Sequence, residues 1–445
     1  MSKDQSTKSA ASLISDIVDN GNISAYQIFV VALCVVFNML DGFDIAAMAV
    51  VAEAVSREFQ LTPAQLGWVF SSALAGMMFG AMFIAPFADR YGRRKLIVAS
   101  LTLVAVSMAV TSYAAGVVSI AALRFVSGAG AGAVIACQVA LAAEFSTTRL
   151  RTLAVTAVMS GYPLGAMLTS VVAAQLMPTF GWRGMFWFGG IATLLMAVIA
   201  WFALPESLKF LLERQPGTAL TTVNRILNRM GRTILSALPP VEKRPQEPGS
   251  ASGNGMSVLM RNDLKSVTVT LWTVFFLCFA TLYFLMSWIP KLMIDAGFEI
   301  AVGRTAFLVF NFGGFLGIFL IGILATKWHL TTLIFLLLMA AAACMFAFAI
   351  VPHELGLMLI ITFATGVFLQ GGFSGLYAVA AKAYPTALRS TGIGWAMGLG
   401  RSGAVVGPAL AGYLIAAGLG MSASYLVFAV PTALGALLAY RLKIG

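Results

Sequence analysis

Leu40-Asp41-Gly42-Phe43-Asp44 sits inside an otherwise apolar run that extends from about Tyr26 to Ala52. A run of that length suits a helix crossing the ~30 Å hydrocarbon core of a bilayer, which needs roughly 20 residues. A carboxylate at the centre of such a helix costs about 2.5–3.5 kcal/mol on insertion scales, so it marks a functional site by default. A spacing of three puts Asp41 and Asp44 on one helix face, which can point into a bundle rather than at lipid. Two carboxyls this close in a low dielectric titrate as a pair, and the functional reading is proton carriage. The alternative is that only one is coupled while the other caps backbone or pairs with an arginine.

Working outward, the whole chain has the same character. Of its 445 residues 60% are hydrophobic and only 10% charged, where a soluble domain keeps about 25%. It reads as an integral membrane protein. A net charge of +11 would suit a nucleic-acid partner, but its distribution argues against one. Of the 28 Lys and Arg, 22 fall on one side of the membrane, 4 on the other and 2, Arg124 and Arg401, within it. By the positive-inside rule this places both termini and the long central loop in the cytoplasm. The four cysteines lie in separate apolar segments without metal or CxxC spacing and read as packing thiols. The first 25 residues lack the pattern of a cleaved signal peptide. His329 and His353 fall in loops, so no buried histidine competes for a proton-carrying role.

Twelve apolar spans are expected, at about 26–52, 64–88, 96–115, 117–143, 151–177, 184–203, 266–290, 302–325, 330–350, 355–380, 388–416 and 421–442. The all-α architecture divides into a segment 1–25, a first six-helix bundle 26–204, a central loop 205–265 and a second bundle 266–442. In that loop Leu220, Val223, Ile226, Leu227 and Met230 have the period of an amphipathic helix, while 239–250 has linker composition. An ungapped offset of 238 carries Phe125 to Phe363, Gly128 to Gly366, Arg151 to Arg389, Met159 to Met397 and Gly165 to Gly403. Repeated halves with a midplane site between them are how many secondary transporters are built. The same offset carries Arg124 to Thr362 and Pro163 to Arg401, so the polar groups differ between the halves.

After the second span comes Asp89-Arg90-Tyr91-Gly92-Arg93-Arg94-Lys95. Such a cluster can pair with helix ends and hold one conformation closed, with Gly92 permitting the turn; the bland reading is an ordinary positive-inside loop. Here the chain resembles the major facilitator superfamily, whose signature in this loop is Gly-x-x-x-Asp-Arg-x-Gly-Arg-Arg/Lys, with Ala85 in place of the first Gly. Within it the likeness is to the aromatic acid:proton symporters. It rests on Asp41-Gly42-Phe43-Asp44, on Arg124 with Gly128, Gly130 and Gly132, on Pro205-Glu206-Ser207, on Tyr384-Pro385-Thr386-Ala387-Leu388-Arg389, and on the span containing Trp395, Arg401 and Gly407-Pro408. Glu53 and Ala136-Cys137 depart from that pattern, where Pro and Pro-Asn often stand. The resemblance implies a major facilitator fold of two pseudo-symmetric six-helix bundles, in an inner membrane of bacterial type. It also implies proton-coupled import of a small organic acid, most simply a benzoate-type carboxylate, by a protein functional as a monomer.

Arg124 and Arg401 are the only cations expected inside the membrane. A guanidinium grips a carboxylate through parallel hydrogen bonds, so both are candidates for binding an anionic substrate; for Arg124 a salt bridge to Asp41 or Asp44 is the equal alternative. Trp395, Tyr377, Tyr283, Trp288 and Phe312 could stack on a planar acid, although most membrane aromatics are packing or interface belt. Asn38 and Gln138 are candidates for bonding substrate hydroxyls or for gluing helices. Asp89, Arg90, Gly92, Arg93 and Arg389 are the expected gating set. No P-loop, zinc-protease helix or nucleophile elbow occurs, so an enzyme is not expected, nor is a cofactor or metal beyond the proton gradient. A drug efflux antiporter of the same superfamily is the competing reading, but the fifth span carries Gly161-Tyr162-Pro163-Leu164-Gly165 instead of that branch's Gly-Pro motif. A symporter of a non-aromatic acid is the other.

Overall fold

The computed structural model describes residues 23–240, 258–260, 262–351, 354–384 and 388–442. The expected linker residues 241–250, His353 and nearly all of segment 1–25 lie outside this set. Among the described residues eleven helices are long and apolar enough to cross a membrane. α1 is Ala25–Phe59, opened by a capping box between Ser24 and Gln27. α2 begins at Pro63–Phe79, capped in the same way by Thr62 and Gln65, and runs on through a π turn at Gly80–Ile84 and a 3-10 turn at Ala85–Phe87. α3 is Arg93–Thr111 and α4 is Val117–Glu144.

The next helix, Arg151–Ala203, has 53 residues and a break at Gly181 (φ 62°, ψ −165°). At 1.5 Å per residue it would be about 80 Å long, more than twice the membrane core. Its contacts with α1 show where it turns back. Thr169 bonds the Phe43 carbonyl at 3.4 Å and Trp182 donates to Glu58 at 2.6 Å, yet Phe188 is again on the Phe43 ring, 5.7 Å between centroids. The arms before and after Gly181 are therefore two spans, α5 and α6. The second set is α7 Asn262–Asp295, α8 Ile300–Leu324, α9 Leu330–Ile350, α10 Leu355–Ala383, α11 Arg389–Ala416 and α12 Met421–Tyr440. Twelve spans in all result, as expected. Between the sets lie Leu208–Arg214 and the amphipathic Ala219–Arg229, which buries Val223, Ile226 and Leu227 in the same apolar cluster as Val30, Leu33 and Leu141.

The internal repeat is visible as packing. A Cβ on Gly128 would strike the Ala73 carbonyl, and one on Gly366 the Phe310 carbonyl. In the same way Gly76 meets the carbonyl of Phe125 and Gly313 that of Phe363, while Gly165 meets Met39 and Gly403 meets Phe276. α2–α4 and α8–α10 thus use the same glycines to bring backbones together, as do α1–α5 and α7–α11; in lipid such close approach is a main source of helix association.

Contacts between the two sets gather at one end. Lys291 of α7 reaches Glu53 of α1 at 2.9 Å. Trp68 of α2 donates to the Tyr413 hydroxyl of α11 at 2.9 Å, and Ser71 to the Val405 carbonyl at 2.6 Å. Gly67 and Gly412 let α2 and α11 touch backbone to backbone. Arg304 of α8 points at the Ala173 carbonyl of α5, 3.4 Å away. Further along α11, toward the end that carries residues 89–95, a Cβ on Gly398 would only graze Met82 at 3.9 Å, and one on Gly394 would meet nothing within 4 Å among the described residues. The halves are clasped at the Glu53 end and part toward the basic end.

Candidate functional site

Asp44 and Arg124 are both fully buried, and a guanidinium nitrogen lies 2.8 Å from Asp44 Oδ1 and 3.1 Å from its carbonyl oxygen. The Ser127 hydroxyl, one turn beyond Arg124 on α4, donates to Asp44 Oδ2. The Arg124 guanidinium also lies 4.9 Å above the Phe186 ring, a favourable place for a cation that still has unbonded donors. Asp44 therefore has both oxygens engaged, and Arg124 is held within the first bundle.

Asp41 differs. It is 5% exposed, and among the described residues neither carboxyl oxygen has a hydrogen-bond partner. Gly42 packs α1 directly on the backbone of Tyr162, so α5 brings the Tyr162 ring beside Asp41. The groups within electrostatic reach of Asp41 and Tyr162 are Asp44, Arg401 of α11 and Tyr283 of α7. Tyr162 and Tyr283 approach through their hydroxyls across the interface of the halves without closing a bond of normal geometry. Arg401 is half-buried, and among the described residues it makes no hydrogen bond or salt bridge; Tyr377 of α10 faces it. One free carboxyl, three phenols and one free guanidinium thus meet at the centre of the molecule.

Beside them is a box of rings. Phe279 lies 4.7 Å edge-on to Phe373 and is stacked on Tyr283 at 6.0 Å, while Phe275 is edge-on to Tyr377 at 5.5 Å and to Phe373 at 6.2 Å. Gly400, next to Arg401, leaves the space that Phe275 and Phe279 fill. By position Gly42 with Tyr162 in the first bundle corresponds to Phe279 with Gly400 in the second. The glycine has changed sides, so one half offers a phenol where the other offers a phenyl ring.

The remaining expected residues separate into several places. Trp395 is half-buried beside Trp272, 6.4 Å between centroids. Trp288 is fully buried, bonded to the Pro408 carbonyl at 3.1 Å and edge-on to Phe70 of α2, which makes it part of the clasp. Phe312 is 42% exposed and packs on Phe363; among the described residues no contact joins it to the central cluster. Asn38 donates to the Val158 carbonyl at 2.6 Å and accepts from Gln138 at 2.9 Å, tying α1, α4 and α5 together. Among the described residues no three His, Cys, Asp or Glu side chains gather to hold a metal ion.

The basic turn is shorter than a loop, because Ala88–Tyr91 is helical and Gly92 alone (φ 96°, ψ 149°) separates it from α3. Glu206 accepts from the backbone N–H groups of Arg93 at 2.7 Å and Arg94 at 3.1 Å, satisfying the orphan donors of the helix start. Arg93 pairs with Glu144, which also accepts from Ser207 at 2.6 Å. The Asp89 carbonyl accepts from Arg214 at 3.1 Å, and Arg90 lies over Tyr91. All these partners belong to the first bundle and the segment after it. The side chain of Arg389 lies outside the described residues. Reading the chain alone did not single out Tyr162, Phe275, Phe279, Ser127 or Lys291 as site or gate residues. The buried hydroxyl in Gly161-Tyr162-Pro163 was the available signal; the rings of α7 are lost among many apolar neighbours.

Comparisons with known proteins agree on the architecture. The model of the Major Facilitator Superfamily matches residues 31–354 and 304–444. The chain is 31% identical to the 4-hydroxybenzoate transporter PcaK of Pseudomonas aeruginosa over 93% of its own length and 91% of the relative's. It is 28% identical to the benzoate transport protein of Acinetobacter baylyi, covering 95% and 91% of the two chains, and 28% identical to the gallate transporter of Pseudomonas putida, covering 95% and 93%. Among solved structures it is similar in fold to the partially occluded, inward-open xylose transporter XylE of E. coli, with a TM-score of 0.71, 16% identity and 93% and 97% of the chains covered.

Proposed function

The chain belongs to the Major Facilitator Superfamily, and from that premise we propose that it is a proton-coupled symporter importing a benzoate-type aromatic carboxylate by alternating access. The observation that carries this reading is the central cluster: a buried carboxyl and a half-buried guanidinium, neither with a bonding partner among the described residues, and beside them a box of aromatic rings from α7 and α10. An isolated buried charge is costly until something pairs it. A proton answers that for Asp41, and the carboxylate of a substrate answers it for Arg401. The acid's ring then packs against Phe279, Phe373 and Tyr377, where edge-on aromatic pairs add to area burial. Relatives named for 4-hydroxybenzoate, benzoate and gallate support an aromatic passenger over an aliphatic one.

In this reading the end rich in Lys and Arg is cytoplasmic, both termini included, in a bacterial inner membrane. The clasp at Glu53 then closes the outside, and the conformation faces inward. A proton and a monoanion moving together carry no net charge, so uptake follows the pH gradient and not the electrical potential. Asp44 stays paired with Arg124 throughout, and Asp41 is the group that gains and loses the proton. Uptake of radiolabelled 4-hydroxybenzoate into proteoliposomes with an acid exterior tests this. Asp41→Asn abolishes accumulation, and Arg401→Lys raises the apparent Km by about tenfold or more, since one nitrogen replaces a two-pronged donor. Full accumulation by Asp41→Asn, or an unchanged Km in Arg401→Lys, rejects the assignment.

A further inference from the structure

Tyr162 and Tyr283, one on each half of the molecule, each lie within electrostatic reach of both Asp41 and Arg401. The Tyr162 hydroxyl is buried and lacks a bond of normal geometry, as do both oxygens of Asp41. The groups that face Tyr162 are Asp41 from α1, Tyr283 from α7 and Arg401 from α11; Tyr283 in turn faces Arg401, Asp41 and Tyr162, and Tyr377 from α10 is within reach of Tyr283 and Arg401. Asp44 does not compete, because Arg124 and Ser127 occupy both its oxygens. On α4, Gln138 is turned to Asn38.

We propose that Tyr162 and Tyr283 form a hydrogen-bond chain whose direction is set by the proton on Asp41, and that this reversal couples the proton to the acid. The proposal rests on the symport reading above and adds the residues that link its two sites. A phenol has one proton to give and an oxygen that accepts. An ionised Asp41 only accepts, so the chain runs from Tyr283 to Tyr162 to Asp41, and Tyr283 has no proton left for a ligand. A protonated Asp41 has one to give. The chain then runs from Asp41 to Tyr162 to Tyr283, and the Tyr283 hydroxyl is free to donate to a carboxylate held on Arg401. Bonds to a charged acceptor are the strong ones, worth about tenfold or more in affinity. The substrate is therefore gripped fully only when the proton is aboard, without any direct contact between the two passengers.

Binding that favours protonated Asp41 takes up a proton, so affinity weakens as pH rises, by up to about tenfold per pH unit. The experiment measures the Kd of 4-hydroxybenzoate across the neutral range for the purified full chain, together with accumulation and counterflow in proteoliposomes. Tyr162→Phe keeps the ring and the α1–α5 contact while cutting the chain. Its affinity becomes flat with pH, to within about twofold, and accumulation falls by about tenfold or more, while counterflow falls less because it needs no net proton movement. Tyr283→Phe interrupts the next link and flattens the pH dependence as well, so a folding failure of one variant leaves the other decisive. A wild-type slope of Kd against pH in either phenylalanine variant overturns the chain. Asp41→Asn separates the two levels of the argument. If Asp41→Asn is flat while Tyr162→Phe keeps its slope, the symport reading survives and the relay fails; if Asp41→Asn itself keeps the slope, the symport reading fails first.

Discussion

Two aspartates three residues apart hold opposite positions. Asp44 accepts from Arg124 and Ser127, whereas Asp41 accepts from no described residue. The difference is physical: Asp44 faces α4, which supplies two donors one turn apart, while Asp41 faces the Tyr162 ring and the interface of the halves. Removing one member of a buried ion pair leaves the other charged and unpaired, which costs about 3–5 kcal/mol. Arg124→Gln therefore lowers the thermal unfolding temperature of the detergent-solubilised protein markedly. Asp44→Asn does so too, and the double variant Asp44→Asn, Arg124→Gln recovers part of the loss because no lone charge remains. Asp41→Asn, which breaks no bond, leaves the unfolding temperature within a degree or two while removing accumulation. Equal destabilisation by Asp41→Asn and Asp44→Asn contradicts this division. The pair was legible in the chain as two acids and two candidate arginines. Which acid met which arginine was not, since Asp44 and Arg124 lie 80 residues apart and only the packing of α1 against α4 decides it.

At the scale of elements, the spans were legible because length and hydropathy carry them, and the turn at Gly181 fell in the gap expected between 177 and 184. The reach of Glu206 back to the start of α3 was not legible, although both ends of that contact had been noted as motifs. Gly92 has φ 96°, a left-handed value that side chains other than glycine resist, and a Cβ there would strike the Glu206 carboxylate. Gly92→Ala therefore carries both a backbone and a steric penalty, on the order of 1–3 kcal/mol. It displaces Glu206 from the Arg93 and Arg94 N–H groups and loosens the link between α3 and the segment after α6. Glu206→Gln keeps the shape and one acceptor oxygen but loses the charge beside a helix N-terminus and Arg93, a smaller loss of about 0.5–1 kcal/mol. Limited proteolysis after residue 206 measures both: cleavage accelerates strongly in Gly92→Ala and modestly in Glu206→Gln. Equal rates in the wild type and Gly92→Ala would remove the turn from any structural role.

For the whole molecule, the question is what holds the halves together at one end only. Glu53 sits at the point where α1 leaves the membrane, accepting from Arg57 at 2.5 Å within its own helix and ion-paired with Lys291 of α7 at 2.9 Å. Lys291 also pairs with Asp295, so two cations and two acids alternate across the seam. Around them the interface is apolar and close-packed, with Gly67 and Gly412 in contact and Trp288 sealed against Phe70 and Pro408. That packing exists only while the halves are closed there, and so does the Lys291–Glu53 bond; the other state must break both. Glu53 is 11% exposed and Lys291 16% as side chains, so the bond is only partly screened and is worth about 1 kcal/mol, a few-fold in the balance of two states. Lys291→Gln therefore shifts the population toward opening at the Glu53 end by a few-fold. Ser71→Cys, placed beneath the clasp where Ser71 bonds Val405, reports the shift through its rate of labelling by a membrane-impermeant maleimide applied at that end, against the parent with its four native thiols. The rate rises in Lys291→Gln and returns toward the parent value when Glu53→Gln is added, because relieving the acid left unpaired against α7 restores the dry seam. A label rate unmoved by Lys291→Gln would mean that the apolar contact of α2 with α11 closes this end unaided.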